Sequence, residues 1–219
     1  MAHLDTILAQ LRRLARPSNL PNMAHFGIDT SAALGVSIPD VRRVARPHRG
    51  DHALALALWE TGIHEARILA SLVDDPSQVT ASQMNAWALD FRSWDLCDQV
   101  CNNLFNRTPR AWHTARAWST RQEEFVRRAG FVLIATLAVH DKAATDDHFT
   151  PCFELIRRGA VDERHLVKKA VSWALRQIGK RNATLRTRAI ATARDLAALE
   201  SKAARWIARD ALRELMNRD

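Results

Sequence analysis

Leu166-Val167-Lys168-Lys169-Ala170-Val171-Ser172-Trp173-Ala174-Leu175-Arg176-Gln177-Ile178-Gly179-Lys180 repeats its apolar residues at intervals of three and four. On a helix of 3.6 residues per turn, Leu166, Val167, Ala170, Val171, Ala174 and Ile178 form one stripe that must be buried against a neighbour. Trp173 lies off that stripe among Lys169, Arg176 and Lys180, so a large indole stands on a cationic face. Two other stretches echo this one. Arg127-Arg128-Ala129 precedes Lys168-Lys169-Ala170 by 41 residues, counted from Arg128 to Lys169, and Arg209-Asp210-Ala211 follows it by 40, counted from Lys169 to Arg209. Stacked two-helix units have this period, and such units bury a continuous core while leaving a concave face exposed.

The rest of the chain agrees. Helical periodicity dominates and strand alternation is almost absent. The pattern predicts helices near 3–16, 39–49, 51–60, 62–74, 80–90, 94–106, 109–119, 122–140, 146–158, 162–180, 182–198 and 200–217. Thr80 with Gln83, Ser93 before Trp94, and Thr120 with Glu123 read as helix N-caps. Short connections imply antiparallel neighbours. The expected architecture is all-α, a single domain over residues 1–219 built as a solenoid of HEAT-type helix pairs.

With 219 residues, 47% of them hydrophobic, the chain can bury a substantial core. The N-terminus lacks the basic-then-apolar layout of a signal peptide, and no apolar run is long enough to span a bilayer. The expectation is a soluble, cytoplasmic protein. Its three cysteines cannot make a disulfide framework and read as reduced thiols, with Cys97 and Cys101 on the apolar side of their helix as core residues. Lys and Arg exceed Asp and Glu by 32 to 24, and the excess is uneven. Residues 1–120 carry 12 basic and 11 acidic side chains, and residues 121–219 carry 20 and 13. The basic field therefore belongs to the second half, where it suits a polyanion whose neutralised phosphates release counterions.

Ser93-Trp94-Asp95-Leu96-Cys97-Asp98 supplies the chemistry. Leu96, Cys97, Val100, Cys101 and Leu104 make the buried stripe of that helix. Trp94 and Asp98, about 40° apart on the helical wheel, border it. An indole face and a carboxylate together hold a cation, or stabilise one that forms during a reaction. Asp95 points about 100° away from Trp94 and reads as a charge complementing the helix dipole. In the helix 122–140, Phe125, Ala129, Val132, Leu133 and Thr136 share a face, placing Arg127 outward and Arg128 at the flank, where an arginine can clamp a phosphate. Glu65 and Arg67 are expected to act, if at all, through contacts between repeats; His25, His64, His113, His140 and His165 have no ligand spacing and read as surface or packing residues.

Trp94-Asp95-Leu96-Cys97-Asp98, Phe125-Val126-Arg127-Arg128-Ala129-Gly130 and Lys168 to Arg176 resemble, in order and spacing, the motifs of the AlkD-like DNA glycosylases, HEAT-like repeat proteins of DNA alkylation repair. The resemblance runs from about Met23 to about Asn182. It implies a right-handed α-solenoid with a concave basic cleft and a monofunctional glycosylase that removes cationic N3- and N7-alkylated purines from duplex DNA. It further implies that Trp94 and Trp173 flank the damaged nucleotide, that Asp98 is the catalytic carboxylate, and that Arg128 holds the lesion's backbone. The family's N-terminal aromatic, often a tyrosine, matches Phe26 here, and the chain has no tyrosine. Lys168, Lys169, Arg176 and Lys180 are expected at DNA phosphates.

No Gly-rich phosphate loop, lysine-nucleophile hairpin signature or Cys/His ligand spacing is present, so no cofactor or metal is expected. A monomer is expected, since such solenoids complete their cores without a second subunit. Two other readings stand beside the glycosylase: a non-catalytic protein binding bent or branched DNA, and a protein-interaction solenoid. A carboxylate among phosphates argues against pure backbone binding, and a steep salt dependence of DNA affinity would separate either DNA reading from the scaffold.

Overall fold

The computed structural model describes residues 2–217, which form thirteen α-helices and, among the described residues, no strand. They fall into two compact units that divide between Pro109 and Arg110. The first holds α1 (Ala2–Arg13), α2 (Leu20–His25), α3 (Ile38–Ala45), α4 (His52–Glu60), α5 (His64–Val73), α6 (Ala81–Leu89) and α7 (Trp94–Asn103). The second holds α8 (Ala111–Trp118), α9 (Glu124–His140), α10 (Asp146–Gly159), α11 (His165–Gly179), α12 (Ala183–Ala197) and α13 (Lys202–Met216). Only α2 has no counterpart in the periodicity, because its six residues, LPNMAH, are too few to establish one.

Helix starts follow side-chain chemistry. Ser37, Asp51, Thr80, Asn182 and Ser201 each accept the backbone N–H three residues on, satisfying a donor the helix cannot use. Thr80 thus caps as expected. Ser93 and Thr120 do not: Ser93 turns its hydroxyl to Asp29, and Thr120 donates to the Ala117 carbonyl, so α9 begins at Glu124 without a side-chain cap.

The repeat is written in the hydrogen bonds between successive helix pairs. In the second unit, Arg128 to Leu166, Ser172 to Asp210, Arg176 to Glu214, Arg188 to Thr150, Arg157 to Asp195 and Ser201 to Glu163 all join residues 38 apart. The period near 40 that the sequence carries is this one. In the first unit the interval shortens to 31, in Trp59 to Asp90, Leu34 to Glu65 and His64 to Asp95. Helices of nine or ten residues in α4 to α7, against fourteen to seventeen in α9 to α12, account for the difference.

Cores follow the apolar stripes. On α7, Leu96, Cys97, Val100, Cys101 and the following Leu104 are buried, and Trp59 stacks flat on Trp87 at 4.0 Å between centroids. All three cysteines are buried and none is in a disulfide, and burial pushes the Cys152 thiol up to about 12. In α9 the expected single stripe gives way to a helix buried almost all round, from Arg128 through Ala138. α9 packs against α8 on one side and α11 on another, so positions that a surface helix would expose are covered. Gly130 permits the first of these contacts: a Cβ there would lie 2.3 Å from the Ser119 amide nitrogen.

Candidate functional site

In the first unit, all three residues that open α7 are held by side-chain bonds. Ser93 Oγ accepts from the Asp29 N–H at 2.6 Å, Trp94 Nε1 donates to the Phe26 carbonyl at 2.9 Å, and Asp95 Oδ2 meets His64 Nε2 at 2.8 Å. The segment 26–36 is fastened from its other side as well. His64 N–H donates to the Ala32 carbonyl, and the Glu65 carboxylate, 1% exposed, accepts from the N–H groups of Leu34, Gly35 and Val36 at 2.7–3.1 Å. Gly35 makes the tight turn possible, with φ of 76° and the Arg16 carbonyl only 2.2 Å from where a Cβ would stand. A cleft of about 250 Å³ lined by Asp29, His64, Arg67, Asp90, Arg92 and Ser93 opens beside this anchored turn.

Asp95 therefore does more than complement a helix dipole: it is an ion-pair partner of α5. His64, expected at the surface or in packing, is 6% exposed. Burial pulls its pKa down, but the hydrogen bond and charge of Asp95, with Glu65 and Asp29, outweigh this and set it above the usual 6.5. The contact between repeats anticipated for Glu65 and Arg67 is present in both: Glu65 holds the 34–36 segment, and Arg67 reaches Asp90 at 3.2 Å. His64 to Asp95 and Glu65 to Leu34 span the 31-residue interval of this unit, and Arg67 to Asp90 spans 23.

Trp94 and Asp98 stand one turn apart on the flank of α7, both half-buried, outside the stripe that faces the core. Phe26 joins them through its backbone bond to the indole. Its own ring is 60% exposed and stands edge-on to His25. An anchored indole, an exposed phenyl ring and a carboxylate are thereby gathered on one side of the first unit.

In the second unit, the cations sort into two groups along α11. At its start, Arg128 is 5% exposed and donates from Nη1 to the Leu166 carbonyl at 2.6 Å. Arg127, expected to point outward, is half-buried and pairs with Asp162 at 3.3 Å, beside Arg164 on the same carboxylate. Lys168 lies over the Trp206 ring at 5.5 Å, and Lys169 is exposed. Their field is felt locally: burial, then the charges of Lys169, Lys168 and Arg128, hold His165 below its usual value. Trp173 follows one turn later, half-buried on the flank.

Towards the end of α11, Arg176 bonds Glu214 and lies 3.3 Å from Asp210, and Lys180 bonds Glu214. Burial alone would raise the Glu214 carboxyl, but Lys180 and Arg176 hold it below the usual carboxylate range. Arg176 and Lys180 thus serve the packing of α11 on α13. Their acidic partners lie 34 and 38 residues away in the sequence, too far for helix periodicity to suggest them.

Short helices stacked as repeats, with an aromatic-flanked carboxylate in one unit and a cationic helix start in the other, define a helical-repeat protein whose exposed features suit a charged ligand. The family model of the DNA alkylation repair enzymes matches residues 7–215, and the chain belongs to that family. Its fold is shared with a solved structure at a TM-score of 0.80 and 19% sequence identity, covering 97% of this chain and 95% of the other. That structure is described as representing a new family of proteins related to the HEAT-like repeat DNA glycosylases with affinity for branched DNA structures. No curated protein matches the sequence. Among the described residues, no helix is long and apolar enough to cross a membrane.

Proposed function

We propose that this protein is a monofunctional DNA N-glycosylase, hydrolysing the glycosidic bond of cationic N3- and N7-alkylated purines in duplex DNA. The observation that carries the reading is Asp98 standing one helical turn beyond an indole whose ring nitrogen is tied to the Phe26 carbonyl. Membership of the alkylation repair family supports it. The tie to a segment 68 residues away fixes the indole on the flank of α7, where its face is held for a ligand.

An alkylated purine already carries positive charge, so it departs without a general acid. As the bond breaks, the deoxyribose becomes oxocarbenium-like. A carboxylate beside it stabilises that charge and positions or deprotonates the attacking water. Asp98 takes this role. Trp94 and Trp173 present indole faces that prefer a cationic nucleotide over a neutral one by about 0.5–2 kcal/mol per contact. Lys168 and Lys169 hold phosphates, and Arg128, buried and bonded to the Leu166 carbonyl, adds its charge to the positive field at the start of α11. Arg176 and Lys180, occupied with Glu214, contribute through the packing of α11.

The second reading is a DNA-binding protein without excision activity, favoured by the affinity for branched DNA described for the structural relative. Incubation with a duplex bearing one N7-methylguanine separates the two. The glycosylase releases the free base and leaves an abasic site whose strand stays intact until alkali is added. Tight DNA binding with no release from several cationic lesions would establish the second reading instead.

A further inference from the structure

The first unit is nearly neutral as a whole, but its charge is divided. Residues 1–50 contain seven arginines and three aspartates, and residues 51–109 contain three arginines and eight acids. The fold gathers several of those arginines. α1 and α3 run antiparallel, with Arg16 beside Asp40 at one end (3.8 Å) and the His3 ring against His48 at the other (5.5 Å). Between them lies a groove of about 520 Å³ walled by Arg13 from α1, Arg43 from α3, and Pro47 and His48 from the 3₁₀ turn that ends α3. Across that turn, a second cavity of about 740 Å³ is lined by His3, His48, Arg49 and His52.

Arg13, Arg46 and Arg49 are exposed and make no ion pair among the described residues; Arg43, also exposed, pairs with Asp40 at 2.6 Å. Arg13 lines the groove, Arg49 the cavity across the turn and His48 both, while Arg46 opens the turn between them; together these residues form a surface for a phosphate backbone.

Its position separates it from Asp98. Gly50, next to Arg49, donates to the Val73 carbonyl at the C-terminal end of α5. His64, which holds Asp95 beside Trp94, opens the N-terminal end of the same helix. A helix of ten residues spans about 15 Å. The arginine groove and the Trp94–Asp98 flank therefore belong to opposite ends of the α5 axis.

We propose that the groove between α1 and the end of α3 binds the phosphate backbone of a second duplex arm, so that a branched DNA is held at two places on the first unit. The inference rests on the DNA-binding part of the proposed function, but not on excision. The test compares the full-length protein with Arg13→Glu/Arg46→Glu/Arg49→Glu. Fluorescence anisotropy is read on an undamaged three-way junction and on a linear duplex of the same length, over a range of salt.

Junction affinity is expected to fall about tenfold or more, and its salt slope to flatten by about 2–3, near 0.9 for each phosphate contact removed. Binding to the linear duplex should stay within about twofold. Equal losses on both DNAs would assign the groove to the flank of a single duplex, and unchanged junction binding would assign it to neither; each result overturns the proposal. A thermal melt of the variant matching the parent excludes misfolding. Absence of base release by the parent would refute the glycosylase reading while leaving this comparison intact.

Discussion

Replacing Glu65 by glutamine tests whether the anchoring of segment 26–36 supports the candidate site. The carboxylate receives the N–H groups of Leu34, Gly35 and Val36, with Leu34 reaching both oxygens. A hydrogen bond to a charged acceptor contributes about 1.5–3 kcal/mol and one to a neutral acceptor about 0.5–1.5. Three bonds each weakened by roughly 1 kcal/mol sum to about 3 kcal/mol of lost stability. The glutamine NH₂ in place of Oε2 also turns a donor towards the Leu34 N–H, which keeps only its longer bond to Oε1. Urea unfolding should show a midpoint lowered by about 1 M, with an unchanged slope of about 2–3 kcal/mol/M. Because Phe26 lies in this segment and fixes the Trp94 indole, base release should also slow. A midpoint within about 0.3 M of the parent, together with unchanged release, would refute the anchoring argument.

Two further perturbations follow from the packing. The folded-state pKa of His64 is raised, so its ion pair with Asp95 stabilises the protein fully below the unfolded value of about 6.5 and loses that contribution as pH rises through the folded value. His64→Gln should therefore cost more stability at pH 5.5 than at pH 8.5 in urea titrations; an equal cost at both would show that the pair contributes no charge interaction. Gly130→Ala places a methyl 2.3 Å from the Ser119 nitrogen and should cost about 2–3 kcal/mol, lowering Tm in calorimetry by several degrees, whereas an unchanged Tm would mean that α8 and α9 can separate freely.

The fold was legible where a residue's neighbours along its own helix decide its environment. The stripe on α7 and the flank positions of Trp94 and Asp98 needed only the 3.6-residue period. The period near 40 in the second half could be read from three echoes because the longer helices there repeat at a constant interval. What was not legible depended on partners brought in by the fold. The Ser93 hydroxyl looks like a cap, yet the Asp29 amide competes for it across 64 residues. Arg176 and Lys180 look like phosphate ligands until Glu214 arrives from α13. Arg127 and Arg128 are both more buried than expected, because α9 is enclosed by α8 and α11 and Asp162 draws Arg127 to one side. In the first half, charge totals hid a basic N-terminal segment behind an acidic one.

The site shows the same division. An indole and a carboxylate at spacing four announce a place for a cation. The fixing of the indole by Phe26, and of Ser93 and Asp95 on either side of it by Asp29 and His64, is a tertiary property with no local signature.

The role of Asp98 is tested most directly by single-turnover release of N7-methylguanine from duplex DNA at saturating protein, comparing the parent with Asp98→Asn. Asparagine keeps the shape and removes the charge. Loss of an electrostatic contribution of about 2.7–4 kcal/mol should slow release about 10²–10³-fold while DNA affinity holds or increases. Release by Asp98→Asn at the parent's rate would contradict the account.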